Sequence, residues 1–150
     1  MKFIKRIVVP VAVGALATGA AAVAAPLAAQ AAPAPVTADV TVTPGTTVVG
    51  GQVTVVATAT NNTSSTVSGA LGIENPQYAS ERITGVSGHA CAPRNLQKLI
   101  YCGNTQLAPG ATMSITLSLT ATAAGTDNFT VYARITGTND TYAYGTLTVL

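Results

Sequence analysis

The chain has 150 residues, 8% of them charged and 5% aromatic, with no Trp, two Cys and a single His. Its formal charge of +2 rests on Lys2, Lys5 and Arg6 at the N-terminus. Beyond residue 31 four cations face five acids, a net charge of −1. That argues against nucleic acid as a partner, because phosphate neutralisation needs clustered cations.

The N-terminal segment reads as an export signal. Three cations in the first six residues precede an uncharged, mostly apolar stretch from Ile7 to Ala29. Ala29-Gln30-Ala31 then supplies the small-x-small pattern that a signal peptidase accepts, so cleavage is expected between Ala31 and Ala32. Ala22-Val23-Ala24 is an earlier alternative. The stretch is long enough to span a bilayer, but Pro10 and Pro26 interrupt it and Ala is weakly hydrophobic, so stable membrane insertion after cleavage is not expected. No Cys lies beside the cleavage site for lipid attachment. The C-terminus, Thr148-Val149-Leu150, carries neither a second apolar span nor a basic tail, so wall sorting is not expected there.

Cleavage leaves 119 residues, enough for one domain. Ala32 to Thr37 reads as a flexible lead, and 38–150 as the domain. Few charges and many Thr and Val suit a pleated, half-buried surface, because branched Cβ atoms pack well there. Ala38–Thr43 places Val40 and Val42 on one face, and Pro44-Gly45 ends it. Gln52–Thr60 turns Val53, Val55, Ala57 and Ala59 inward. A polar turn follows, then Val67–Ile73 with Leu71 and Ile73 inward, ended by Asn75-Pro76. Arg82–Cys91 is extended and Gly-rich, and Lys98–Gln106 forms another strand. Pro93–Ile100 also carries Leu96, Leu99 and Ile100 at helical spacing behind a proline suited to a first helical turn. After Pro109-Gly110, Thr112–Thr120 buries Met113, Ile115, Leu117 and Leu119. Phe129, Val131, Ala133 and Ile135 make the next inward face. Thr141–Leu150 closes the domain with Tyr142, Tyr144, Leu147 and Val149, and a bulge is expected at Gly145. Seven or eight short strands with turn signals at this spacing predict an all-β, antiparallel sandwich.

Several pieces resemble bacterial Ig-like repeat domains of secreted and surface proteins. They are Val53–Asn62 (VTVVATATNN), the Gly-rich segment Gly88–Cys91, Cys102 about a dozen residues on, Leu107-Ala108-Pro109-Gly110, and Met113–Thr120. The resemblance covers about Gln52 to Ile135. It implies an immunoglobulin-like fold with a binding or structural role and no catalytic residues. Ile73-Glu74-Asn75-Pro76 departs from the Asp-x-Leu-Pro segment usual in the family, and the chain holds one copy where the family usually has tandem repeats.

Cys91 and Cys102 are the sharpest local feature. In an oxidising compartment an even pair reads as a disulfide. The metal alternative, His89 with both cysteines, lacks a fourth ligand, so neither metal nor cofactor is expected. Gly85-Val86-Ser87-Gly88-His89 lacks the G-x-S-x-G order of a hydrolase elbow and has no orienting acid. Catalytic residues are therefore not assigned. Asn61, Asn62, Asn128 and Asn139 fall in N-x-[ST] sequons, as chance allows in a Thr-rich chain. Arg82, Arg94 and Lys98 form a stretch with cations and no acid, suited to a weak basic patch. Packing is the default use of the five tyrosines.

The expectation is a secreted, non-enzymatic module that recognises an extracellular protein or cell-wall polymer through loops carrying Tyr78, Arg82, Arg94 and Lys98. Two other readings stand beside it. One is a small-molecule carrier, since Ala32–Pro44 looks like the start of secreted apo-chromoproteins, although those carry two disulfides. The other is a protease inhibitor presenting residues 92–101, with Arg94 or Lys98 entering the protease.

Overall fold

The computed structural model describes residues 32–74, 81–89, 91–94 and 99–150, with the backbone alone at positions 81, 82 and 92–94. Ala32–Leu150 is a compact unit. Its strands are β1 (Val36–Thr43), β2 (Thr46–Thr47), β3 (Gln52–Asn61), β4 (Val67–Glu74), β5 (Glu81–Gly88), β6 (Cys91–Arg94), β7 (Leu99–Leu107), β8 (Thr112–Ala121), β9 (Gly125–Ile135) and β10 (Thr141–Val149). They form a four-stranded sheet, β1-β3-β8-β5, and a six-stranded sheet, β2-β10-β9-β4-β7-β6. This is an all-β, immunoglobulin-like sandwich.

Period-two alternation builds the core, because successive side chains in a strand point to opposite faces. In the four-stranded sheet, Val53, Val55, Ala57 and Ala59 of β3 and Met113, Ile115, Leu117 and Leu119 of β8 are buried. Leu71 and Ile73, Phe129, Val131, Ala133 and Ile135, and Leu147 and Val149 face them from the other sheet. These are the inward sets expected for β3, β4, β8 and β9, and half of the set expected for β10. Turn chemistry holds as well: Ala111 N–H donates to Ala108 C=O at 2.9 Å, with Gly110 at φ +72. Pro then Gly at the two central positions is the signature of a type II turn.

The structure departs from the sequence reading in several places. There are ten strand segments among the described residues, because β2 and β6 are short additions at opposite edges of the larger sheet. The sheets are not wholly antiparallel, since β2 runs parallel to β10. The first strand begins at Val36, not Ala38, and Val36 is fully buried. The lead is tied down too, because Asn62 donates from its side chain to Ala34 C=O and from its backbone to Pro35 C=O. No helical turn holds Pro93 or Ile100, which pair with each other across β6 and β7. Residues 95–98 lie outside the described residues.

The last strand shows the largest departure. Tyr142 and Tyr144 point outward, 52% and 75% exposed. The pairing of β10 with β9 runs unbroken across Gly145, so there is no bulge. Gly145 instead faces β1: a Cβ there would sit 3.0 Å from Val42 and 3.2 Å from Val40. Glycine at this position lets β1 close over β10, and the tyrosines take the other face.

Candidate functional site: the outer face of the six-stranded sheet

The four residues expected to carry recognition are not brought together as described side chains. Tyr78 and Lys98 lie outside the described residues. Arg82 and Arg94 are placed by their backbones alone, opposite Thr120 on β8 and Leu99 on β7 respectively. They belong to different sheets. The cysteines are joined: Cys91 and Cys102 face each other directly across β6 and β7 and form a disulfide. Cys102 is buried in the core, so the bond ties the edge strand to the sandwich interior.

Two further sequence candidates are committed to structure. His89 is exposed, and its Nδ1 accepts the Ser114 backbone N–H at 3.2 Å while the His89 backbone N–H donates to Ser114 C=O. It closes the end of β5 onto β8. Asn61 is fully buried. Its side-chain amide donates to the carbonyls of Ser65, Leu107 and Ala108 at 2.9, 3.0 and 3.1 Å, and its Oδ1 accepts from Thr63 backbone and hydroxyl. An amide held in this way is not available to a glycosyltransferase. Asp127 is buried with both carboxylate oxygens free of hydrogen bonds, and nothing in the structure explains it. Among the described residues no group of three His, Cys, Asp or Glu side chains could hold a metal ion.

An unforeseen constellation lies on the outer face of the six-stranded sheet. Backbone pairing aligns Tyr142, Tyr132, Gly72, Tyr101 and Ala92 in one row across β10, β9, β4, β7 and β6. Paired residues share a face, so the three tyrosines point the same way. Tyr101 and Tyr132 are near-parallel, with ring centroids 6.4 Å apart and planes 26° apart. Their rings rest on glycines. The hydroxyl end of Tyr132 occupies the space that a Cβ at Gly72 would need, and that of Tyr101 the space beside Gly103. A side chain at either glycine would lift a ring off the sheet.

Beside the row the pairing of β4 and β7 slips. Gly69 faces Thr105 but Leu71 faces Cys102, so Ala70 opposes both Gly103 and Asn104. This is a β-bulge, a device that re-aims side chains and is frequent near functional sites. Asn104 takes φ +56, alone among the described non-glycine residues in having a positive φ. Asn tolerates that left-handed region better than most residues. The bulge opens a shallow cleft of about 110 Å³ lined by Ser68, Ala70, Tyr101, Asn104, Arg134 and Thr136. Arg134 lies 3.6 Å from Asp140, whose other oxygen accepts the Tyr142 hydroxyl at 3.5 Å.

Burial is the main influence on the Tyr132 hydroxyl and holds its pKa above the usual 10.0. The neighbouring Tyr101, Glu74 and Asp140 push the same way, against a smaller opposing pull from Arg134. Tyr132 is therefore a neutral donor throughout the physiological range. The sequence held one signal for this site. Gly103-Asn104 is a turn-forming pair inside a strand and a better bulge marker than Gly145.

Comparison with known proteins bears on the fold. No family model matches the chain, and no curated protein does. Many solved structures share the sandwich. BslA, described as a bacterial hydrophobin, is similar over 78% of this chain and 95% of that one, at 20% identity and a TM-score of 0.55. The CARDB domain of a Pyrococcus furiosus protein, solved with di-metal ions, is similar over 76% and 91%, at 13% identity and a TM-score of 0.52. The third ScaC cohesin of Acetivibrio cellulolyticus, solved with a dockerin, is similar over 77% and 99%, at 13% identity and a TM-score of 0.53. At such identities the likeness is one of fold.

Proposed function

We propose that this chain is an exported, non-enzymatic recognition module, and that it engages its extracellular partner through the outer face of the six-stranded sheet. The observation that carries this reading is the tyrosine row beside a bulge-built cleft. Core packing has no use for three outward tyrosines, two of them with rings resting on glycines, whereas amphipathic Tyr is favoured at binding surfaces. The similar solved domains include a cohesin bound to a dockerin, which supports recognition as a use of this sandwich. The segments carrying Tyr78, Arg82, Arg94 and Lys98 remain part of the proposal as further contacts, although Arg82 stands on β5 and Arg94 on β6 and not in loops.

The test is capture of the processed protein by the producer's own cell wall and culture supernatant. Replacing Tyr101 and Tyr132 with Ala should abolish capture, and replacing Tyr78, Arg82, Arg94 and Lys98 should weaken it. Capture that survives both sets of changes rejects the reading. The carrier alternative gains no support from the cleft, since about 110 Å³ is well below the roughly 300–1,000 Å³ of ordinary small-molecule sites. Trypsin inhibition by the intact protein would favour the inhibitor reading instead.

A further inference from the structure

We propose that the tyrosine row binds a neutral glycan chain, with sugar rings seated on Tyr132 and Tyr101 and their hydroxyls held around the adjoining cleft. This rests on the recognition reading and names its ligand class.

Three features select a glycan. The first is the pairing of aromatic and polar groups. The face of an aromatic ring is electron-rich, and the C–H-bearing face of a pyranose is its natural counterpart. Each sugar hydroxyl both donates and accepts, so it needs mixed partners close to the ring. Arg134 and Asp140 supply charged donors and acceptors, and Ser68, Asn104 and Thr136 supply neutral ones.

The second feature is charge. Arg134, the one cation in this row and cleft, already faces Asp140, and Glu74 lies on the same sheet face. The processed chain carries a net charge of −1. A polyanion would meet no surplus of positive charge here.

The third feature is shape. Tyr142 and Tyr101 are three strand positions apart in the sheet order, about 14 Å at the usual strand spacing. The row is open and crosses the strands, which suits an extended polymer lying over the face. A peptide strand would need an unpaired sheet edge, and β9, β4 and β7 are all paired on both sides.

Titration of the processed protein with purified soluble neutral glycans tests this. The probes are a β-glucan, an α-mannan and fully N-acetylated chitooligosaccharides. The readout is tyrosine fluorescence, which no Trp obscures. At least one probe should bind saturably. Tyr132→Ala and Tyr101→Ala should each weaken binding tenfold or more, and Arg134→Met several-fold. Tyr132→Phe, which keeps the ring, should retain most of it. Thr84→Ala on the other sheet should change nothing. Circular dichroism of each variant separates lost binding from lost fold. Failure of all three probes overturns the glycan inference, as does binding indifferent to Tyr132→Ala. If the glycans fail while the tyrosine variants still lose a captured protein partner, the inference falls and the recognition reading stands.

Discussion

Asn61 stands in for backbone at the point where two turns meet. It ends β3, and its amide satisfies carbonyls from the turn before β4 and from the turn between β7 and β8. Asn61→Ala would strip the amide from those carbonyls, of which Leu107 lies in a buried contact and Ser65 and Ala108 in part-buried ones. A buried group left unpaired costs about 1–3 kcal/mol, so about that much stability should disappear. Urea denaturation measures this, and a loss below about 1 kcal/mol would show that the amide is dispensable. Tyr132 sets a second expectation at this scale. Its folded pKa is raised above the value of 10.0 it has when unfolded. The fold therefore holds the proton more tightly, its contribution is complete below pH 10, and stability declines as pH rises through the folded value. Tyr132→Phe should flatten this alkaline decline. An unchanged profile would mean that other groups govern it.

Among the elements, β6 is the most dependent on outside help. It has four residues, sits at the sheet edge and pairs only with β7. A short edge strand with one neighbour has little to hold it, and the Cys91–Cys102 bond supplies a covalent tie into the core. Removing a disulfide across a separation of 11 residues should cost about 3 kcal/mol in the chain-entropy account. The C91A/C102A double variant should unfold at lower urea and show faster amide exchange in β6 and in β7 opposite it. Equal urea midpoints for the variant and the parent would refute the stabilising role. The bulge in β7 follows directly after Cys102, so the same tie steadies the strand that carries Tyr101 and Asn104.

At the scale of the whole molecule, the disulfide accords with the proposed export, because such bonds form and persist in oxidising compartments. Export through the leader should yield an extracellular species whose intact mass corresponds to a start at Ala32. Protein that keeps Met1 in the membrane fraction would contradict it. A start at Ala32 would leave Ala34 and Pro35 in place to accept the hydrogen bonds of Asn62. Cleavage after Ala24 instead would add seven residues ahead of that anchor. The sandwich also separates tasks between its sheets. The smaller sheet uses its outer face for Thr and Ser ladders such as Thr60 with Thr112, while the larger one displays the tyrosines.

The amino-acid sequence alone determined the two-layer β architecture, the inward faces of β3, β4, β8 and β9 and the half-buried one of β1, and the turn at Pro109-Gly110. Alternation with period two and the special dihedral needs of Pro and Gly are local properties, written in neighbouring residues. The disulfide was legible for a similar reason: the only two cysteines lie close in the chain. Which strands lie side by side is not local. Gly72, Tyr101 and Tyr132 belong to β4, β7 and β9, and nothing in their own segments says that they meet. The last strand shows the same division. Alternation from Leu147 and Val149 puts Tyr142 and Tyr144 outward unless a bulge at Gly145 turns them in, and the unbroken pairing with β9 and the approach of Val40 and Val42 to Gly145 decide against the bulge. The tertiary structure settled the tyrosine row and its cleft because a cross-strand site is made by pairing, and pairing is chosen by the packing of the whole sandwich.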